Sequence, residues 1–343
     1  MIDVRSKTVQ ELELFMESIG EAAFRGRQLF KWCWKPGIND FNQITEFSKV
    51  LRQKLKNYGF FYKVEVADKK ISKDGTTKWA FKLIDGHIIE SVLIPERTHF
   101  TLCVSTQVGC AMKCRFCRTG LMGFKRNLTP SEIAIQPLKA MEEMDEPNNL
   151  RNLVFMGMGE PLANFDNLLS ALKILTSDLG LNFSTRKITV STCGIVPKIM
   201  ELGKHTDVGL AISLHATTDE IRNKIMPINK RYNLASLLDA CKKFPLPRRR
   251  RITFEYILLQ DINDSELDAK RLAKLLRPIP SKINLIPFNK SKGIEFKEPS
   301  YENVLRFQEI LKKEGYTAII RKSKGKDIAA ACGQLSYDNL HAA

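Results

Sequence analysis

The sequence predicts an α/β protein built on a parallel sheet, preceded by a small helical unit and a short β region. Three observations carry that expectation. From about residue 100 onward, runs rich in Val, Ile and Leu alternate six times with longer amphipathic stretches, as covered parallel strands alternate with helices. Before residue 60, apolar residues recur at helical spacing. Between residues 61 and 95 they alternate, as strands do.

In the first unit, residues 1–60, Leu12, Phe15 and Ile19 share one helical face. Phe24, Leu29, Phe30 and Trp34 share a second, and Val50, Leu51 and Leu55 a third. Residues 61–95 form the expected β linker, with strands at Phe61–Ala67 and Lys78–Ile84, a turn at Asp74-Gly75, and a third strand at Ile88–Ile94. Residues 96–343 form the expected core. Its strands are placed at Thr101–Ser105, Asn152–Met156, Lys187–Ser191, Val208–Ser213, Ile252–Leu258 and Ile283–Ile286. Helices are placed between them, among them Pro130–Glu143, Phe165–Thr176, Leu234–Lys243, Glu266–Leu276 and Tyr301–Glu314. Six units fall short of the eight in a closed barrel. A partial barrel and an open sheet both fit the pattern.

The 343 residues carry 54 Lys and Arg against 38 Asp and Glu, a formal net charge of +16. An excess of this size points to a polyanionic partner, RNA or DNA first. Residues 103–130 hold five basic residues and no acid, and residues 181–260 hold fourteen basic against six acidic. This excess is expected to surround the functional site. The run Arg248-Arg249-Arg250-Arg251 and the set Arg115, Arg118, Lys125 and Arg126 are expected to neutralise phosphates. Arg25, Arg27, Lys31 and Trp34 are expected to grip folded nucleic acid. At 43% hydrophobic residues the chain can bury a core, which excludes wholesale disorder. No run of 18 apolar residues appears, so no membrane helix is expected. The N-terminus shows neither a basic-then-apolar signal nor the acid-poor composition of a transit peptide, so the expected location is cytoplasmic.

Eight cysteines include three in one short segment, Gly109-Cys110-Ala111-Met112-Lys113-Cys114-Arg115-Phe116-Cys117. Three thiolates within eight residues can converge on one metal centre. Zinc sites usually draw four ligands from paired CxxC motifs, and a [4Fe–4S] cluster normally takes four thiolates. Three would leave one iron open to a substrate or cofactor. The positions also fit one helical stripe of buried cysteines, but Gly109, Lys113, Arg115 and Arg118 do not suit a buried helix.

This CxxxCxxC motif ahead of an α/β core resembles the radical S-adenosylmethionine (SAM) superfamily. Further segments narrow the resemblance: Gly157-Met158-Gly159-Glu160-Pro161-Leu162, Ser191-Thr192-Cys193-Gly194, Ser213-Leu214-His215-Ala216, Met226-Pro227-Ile228-Asn229, Ile286-Pro287-Phe288-Asn289, and the stretch from Asp327 to Leu335 around Cys332. In this order they resemble the RlmN/Cfr family of RNA methyltransferases. The segments after the expected strands fall at strand C-terminal ends, where parallel α/β folds bind ligands.

The resemblance implies a partial (βα)6 TIM-like barrel, the radical SAM core, with an N-terminal helical accessory domain and a small β linker. It implies a [4Fe–4S] cluster on Cys110, Cys114 and Cys117, with SAM on the open iron and in contact with Gly159, Glu160, Ser191, Ser213, Leu214, His215 and Asn289. It implies methylation of C2 of an adenine in 23S rRNA, and of the adenine 3′ to the anticodon in tRNA. C2 is not nucleophilic, so the implied route has one SAM methylate Cys332 and a second yield a 5′-deoxyadenosyl radical that activates the S-methyl group. Glu90 would then take the C2 proton, and Cys103 would release the product by pairing transiently with Cys332. The implied partners are RNA and an electron donor such as flavodoxin or ferredoxin, with the protein monomeric and no membrane involved. The alternative is a C8-methylating, Cfr-like enzyme, against which Pro161-Leu162 after Glu160 weighs. A glycyl-radical activase and an iron–sulfur electron carrier are further alternatives, which a SAM-cleavage assay with RNA separates. Cys33, Cys193 and Cys241 match no catalytic position and are expected to pack.

Overall fold

The computed structural model describes residues 1–336, so the last seven residues of the expected core lie outside the described residues. The short strand β1 (Ile2–Asp3) pairs with β2 (Gly59–Phe60) across three helices, α1 (Val9–Ser18), α2 (Phe24–Cys33) and α3 (Lys49–Tyr58). Thr8 and Glu11 close a capping box at the start of α1, and the Ser48 hydroxyl caps α3. Arg5 is fully buried among these elements. It donates to the carbonyls of Cys33 (3.0 Å), Tyr62 (2.7 Å) and Ile38 (2.5 Å) and to Asn39 Oδ1 (3.2 Å). One side chain thereby satisfies loop acceptors that no helix or sheet reaches. Trp34, expected to grip nucleic acid, is buried in this core, because its large apolar area is worth more there than in water. Arg25 and Arg27 are paired with Glu21 and Glu13.

Three antiparallel strands follow, β3 (Glu65–Ile71), β4 (Thr77–Lys82) and β5 (Ile88–Pro95). The turn at Asp74-Gly75 forms as expected, with the Gly75 amide donating to the Ser72 carbonyl at 2.9 Å. The first strand begins at Glu65 rather than at Phe61. Phe61 and Tyr62 are buried against the helical unit instead, the Phe61 ring 4.9 Å from that of Phe41. The Tyr62 hydroxyl donates to Glu132 Oε1 at 3.0 Å.

The core starts with β6 (Phe100–Cys103). A small hairpin of β7 (Gln107–Gly109) and β8 (Phe124–Asn127) then encloses the one-turn helix α4 (Arg118–Leu121). Next come α5 (Pro130–Glu142), β9 (Leu150–Phe155), α6 (Phe165–Thr176), β10 (Ile188–Thr192), α7 (Val196–His205) and β11 (Gly209–Ser213). The chain continues through α8 (Asp219–Ile225), α9 (Leu234–Lys243), β12 (Ile252–Leu258), α10 (Glu266–Leu276), β13 (Ser281–Pro287), α11 (Tyr301–Lys313) and β14 (Ala318–Ile320). One ten-stranded sheet runs β14-β13-β12-β11-β10-β9-β6-β5-β4-β3. From β6 to β14 the strands are parallel and in sequence order, with no reversal. Right-handed crossovers then put the helices that connect these strands on one face, and the sheet curls into a partial barrel. β14 adds a seventh parallel strand to the six expected. At three residues it is too short to show a pattern in sequence.

The side of the strands that faces the helices is apolar. On β12, Ile252, Phe254, Tyr256 and Leu258 point outward and are fully buried, the Tyr256 ring tilted against that of Phe307 of α11 with 5.3 Å between centroids. The alternate residues Thr253 and Glu255 point inward. Register places Ser213 beside Glu255 and Glu255 beside Asn284, so a polar layer lines the inside of the barrel.

Candidate active site

The cysteine loop hangs from the β7–β8 hairpin. Gly109 adopts φ +72°, and a Cβ there would overlap the Gly123 carbonyl oxygen, which instead accepts from the Cys110 amide at 2.9 Å. A turn from the Cys117 amide to the Cys114 carbonyl (3.1 Å) brings these residues back on themselves, and the Arg115 amide anchors the loop to the Ile225 carbonyl at 3.0 Å. Cys110 is buried, and Cys114 and Cys117 are half-buried. Burial pushes the Cys110 thiol up to about 12 and the Cys114 thiol well above its usual range, and each also feels the charge of Cys117. The loop thus gathers three soft donors within electrostatic reach of one another. Among the described residues no three Cys, His, Asp or Glu side chains stand at metal-ligand spacing. A thiol triplet of this kind fits an iron–sulfur cluster better than a hard cation, and metal binding would displace the thiol protons.

The turns after the strands supply the rest of the mouth. Gly159 lies at φ +99°, and any Cβ would come within 2.5 Å of the Gln107 Cβ. This close approach lets the Glu160 amide donate to Gln107 Oε1 at 2.9 Å. The buried Glu160 carboxylate accepts from the Leu162 amide (3.1 Å) and the Cys193 amide (2.8 Å). Burial raises its pKa, opposed by the bonds from Cys193 and Thr192. Cys193 therefore does more than pack, because both its amide and its thiol serve Glu160. Cys33 and Cys241 are core residues, as expected. Ser191 faces inward at the end of β10, and Ser213 ends β11. Arg222, fully buried, ties these ends together by donating to the carbonyls of Cys193 (2.7 Å), Ser213 (3.1 Å) and Leu214 (3.0 Å). The Leu214 side chain is buried, so only its backbone is polar at the mouth. His215, at φ +57°, accepts from the Ile257 amide through Nδ1 at 3.1 Å. Its ring meets the edge of Phe116 of the cysteine loop, 4.8 Å between centroids. Burial, then Arg222, lowers its pKa to about 3, so the imidazole is neutral at pH 7. Asn289 Oδ1 and Thr106 Oγ1 are buried with no partner. Orphaned acceptors of this kind fit a polar cofactor.

Cys332 is carried by a strap across this mouth. On one side Asp327 accepts from the Ser72 hydroxyl (2.5 Å) and the Lys73 amide (3.3 Å), and the Gly325 amide donates to Asp74 Oδ2 (3.1 Å). On the other side the Gly333 carbonyl accepts from the Arg118 amide (2.8 Å) and the Leu335 carbonyl from the Thr119 hydroxyl (2.7 Å). The linker hairpin and the cysteine loop thus hold the strap from two directions. Cys332 is exposed, yet enough protein surrounds it to raise its pKa to about 11, with the Glu255 charge adding to the effect. Cys103 lies on the inward face of β6 with its pKa held far up by burial, and it feels the charge of Cys332 directly. Glu90, on β5, is level with the end of β6, its carbonyl accepting from the Ser105 hydroxyl at 2.6 Å. Its Oε1 pairs with Lys78 Nζ at 2.8 Å, and its Oε2 is buried without a partner. Burial raises its pKa against the pull of Lys78. Lys78 also donates to the Ala329 carbonyl of the strap at 3.2 Å.

Every residue expected at the site lies at this end of the barrel. Three that lie there were not expected to serve it, Cys193, Arg222 and Glu255. Glu255 had a signal, a single acid inside the apolar run Ile252–Leu259. The four-arginine run does not join them. It precedes β12 and so lies at the opposite end. Arg250 donates to the Asp207 carbonyl just before β11, and Arg251 donates to Thr317 Oγ1 just before β14, at 3.0 Å. The expectation that the basic excess rings the mouth is thus wrong for this segment.

A family model described as the Radical SAM superfamily matches residues 104–273, and one described as the ribosomal RNA large subunit methyltransferase N-terminal domain matches residues 2–59. The dual-specificity RNA methyltransferase RlmN of Desulfotalea psychrophila is 50% identical over 345 residues, covering 98% of this chain and 95% of that protein. The protein of the same name from Geobacter sulfurreducens is 51% identical over 335 residues, covering 98% and 92%. A solved radical SAM methyltransferase from Sphaerobacter thermophilus superposes with a TM-score of 0.92 at 40% identity, covering 97% of this chain and 99% of that one. With identity of this order along nearly the whole chain, and the same fold around the cysteine loop, the protein belongs to the RlmN family of radical SAM methyltransferases.

Proposed function

We propose that the protein methylates C2 of an adenine in 23S rRNA and of the adenine 3′ to the anticodon in tRNA. In this reading Cys332 carries the methyl group, Cys103 releases the product and Glu90 takes the C2 proton. The observation that carries it is the strap, which hangs Cys332 over the barrel within electrostatic reach of both Cys103 and Cys117. Cys110, Cys114 and Cys117 would hold the [4Fe–4S] cluster that the superfamily uses, and Gly159, Glu160, Ser191, Ser213, Leu214, His215 and Asn289 would line the SAM site. When bound, these cofactors supply the methyl group and the carbon-centred radical that an unreactive C2 requires.

The chain's own groups suit these tasks. A cationic amine beside Glu160 would favour the ionised carboxylate that burial disfavours. Glu90 is held by Lys78 through one oxygen, which leaves the lone pairs of the other free for a proton. A general base needs this reach before it needs a tuned pKa. Burial keeps the Cys103 thiol protonated at rest and so a poor nucleophile until it loses its proton. Once deprotonated, its sulfur bonds to that of Cys332. The Cys332 sulfur–carbon bond then breaks, and the carbon keeps the electron pair and gains a proton. The resulting disulfide is reduced for the next turnover. An electron donor such as flavodoxin or ferredoxin, a cytoplasmic location, a monomeric state and the division into units 1–60, 61–95 and 96–343 belong to the same proposal. Among the described residues no helix is long and apolar enough to cross a membrane.

The test is anaerobic turnover of reconstituted protein with SAM, a reductant and RNA transcripts, read by mass spectrometry of the nucleosides. The expected product is 2-methyladenosine, absent with Cys332→Ala. An 8-methyladenosine product, or unchanged methylation by the variant, would overturn the reading.

A further inference from the structure

The end of the barrel opposite the mouth is strongly and unevenly charged. In a parallel α/β barrel, helix C-termini and strand N-termini meet there. Arg186 and Lys187 precede β10, Lys242 ends α9, Arg248 and Arg249 precede β12, and Lys312 lies in the last turn of α11. All six are exposed, and among the described residues none has an ion-pair partner. Arg250 and Arg251 brace the turn from below, on the starts of β11 and β14. They hold Arg248 and Arg249 at the rim without using them. The sector before β9 has the other sign, with Glu142, Glu143, Asp145 and Glu146 against Lys139, Lys69 and the exposed Arg151 of β9. The net basic charge therefore forms a belt along one side of the rim, under β10 to β14, where Asp178, Asp207 and Glu314 are outnumbered, and it gives way to net acid before β9.

We propose that this belt is a second RNA-binding surface, gripping phosphates of the folded substrate at the end of the barrel away from the reacting adenine. The proposal rests on the RNA-methylating function given above, and it adds a contact which that function does not require. The seven residues of β12 span about 23 Å from rim to mouth. A short hairpin centred on the target adenine cannot reach both ends, whereas a large folded RNA can. Unpaired arginines and lysines on a rigid frame suit phosphates, because each contact releases counterions without sequence preference. The acidic border repels RNA on the β9 side, which gives the contact a direction.

The test compares the wild-type holoenzyme with the triple variant Lys242→Ala/Arg248→Ala/Arg249→Ala, using a folded 23S rRNA fragment and a short hairpin around the target adenine. Dissociation constants, measured directly as a function of salt, read the belt whether or not methylation proceeds. The expected result is folded-RNA affinity weakened roughly tenfold or more, with a salt slope shallower by about two to three, as for three lost phosphate contacts. Hairpin affinity, iron content and kcat should not change. Unchanged folded-RNA affinity and slope would overturn the proposal, as would equal losses for both RNAs. A variant that binds RNA normally but accepts electrons more slowly from an acidic donor protein would also overturn it and assign the belt to that donor. Loss of methylation by the wild type would instead sink the functional reading, with the binding data still judging the belt.

Discussion

Glu255 shows what one inward position does. Burial raises its pKa to about 7 from an ordinary 4.5, against the bond from Asn284 and the charges of Arg321 and Lys282. The folded state therefore disfavours the charged form. This penalty is absent below about pH 4.5 and grows as pH rises, reaching about 3 kcal/mol above pH 7. Glu255→Gln removes it. The variant should unfold at a higher temperature than wild type at pH 8 and show no such gain at pH 4.5, and an equal difference at both would refute the cause. The same substitution removes a charge that raises the Cys332 pKa. Alkylation of Cys332 by iodoacetamide at pH 8 should then be several-fold faster. Arg5 is the opposite case, a buried charge satisfied by four acceptors. Arg5→Ala orphans them and should destabilise the protein by about 3–5 kcal/mol, seen as a lower thermal midpoint.

At the scale of elements, two small pieces control the site. The β7–β8 hairpin sets the shape of the cysteine loop through Gly109, where a Cβ and the Gly123 carbonyl oxygen cannot coexist. Gly109→Ala should lower the iron content of reconstituted protein while the far-ultraviolet circular dichroism stays native. Normal iron content would show that the loop finds another path. The strap is held to the linker by Asp327 through the Ser72 hydroxyl and Lys73 amide. Asp327→Ala removes both bonds, each worth about 1 kcal/mol or more. Hydrogen exchange in residues 325–336 should rise and kcat should fall, with iron content unchanged. The linker, which reads in sequence as a mere connection, thus positions the Cys332 strap.

At the scale of the whole molecule, basic charge collects at both ends of the barrel. The cysteine loop keeps exposed Lys113, Arg115 and Lys125 at the mouth, while the four-arginine run sits at the far end. The net charge of residues 181–260 conceals this, because that segment holds residues both before and after strands. Chain order alone was enough to separate them, since whatever precedes a parallel strand lies at its amino end.

The sequence by itself determined the local features. The cysteine spacing, the strand–helix alternation and the turn at Asp74-Gly75 depend on neighbours in the chain, and all are present as read. It also held the ordered motifs that mark the family. Features that depend on distant partners emerge only in the folded chain. The charge of Cys332 reaches Cys103 across 229 residues of chain, and Arg222 ties strand ends that no pattern links to it. Glu255 faces the cavity rather than the helices because of its strand parity, and a shift of one residue would turn it outward. Phe61 and Trp34 left their expected roles because a core formed by separate elements offered their apolar surface more burial than a strand face or solvent could.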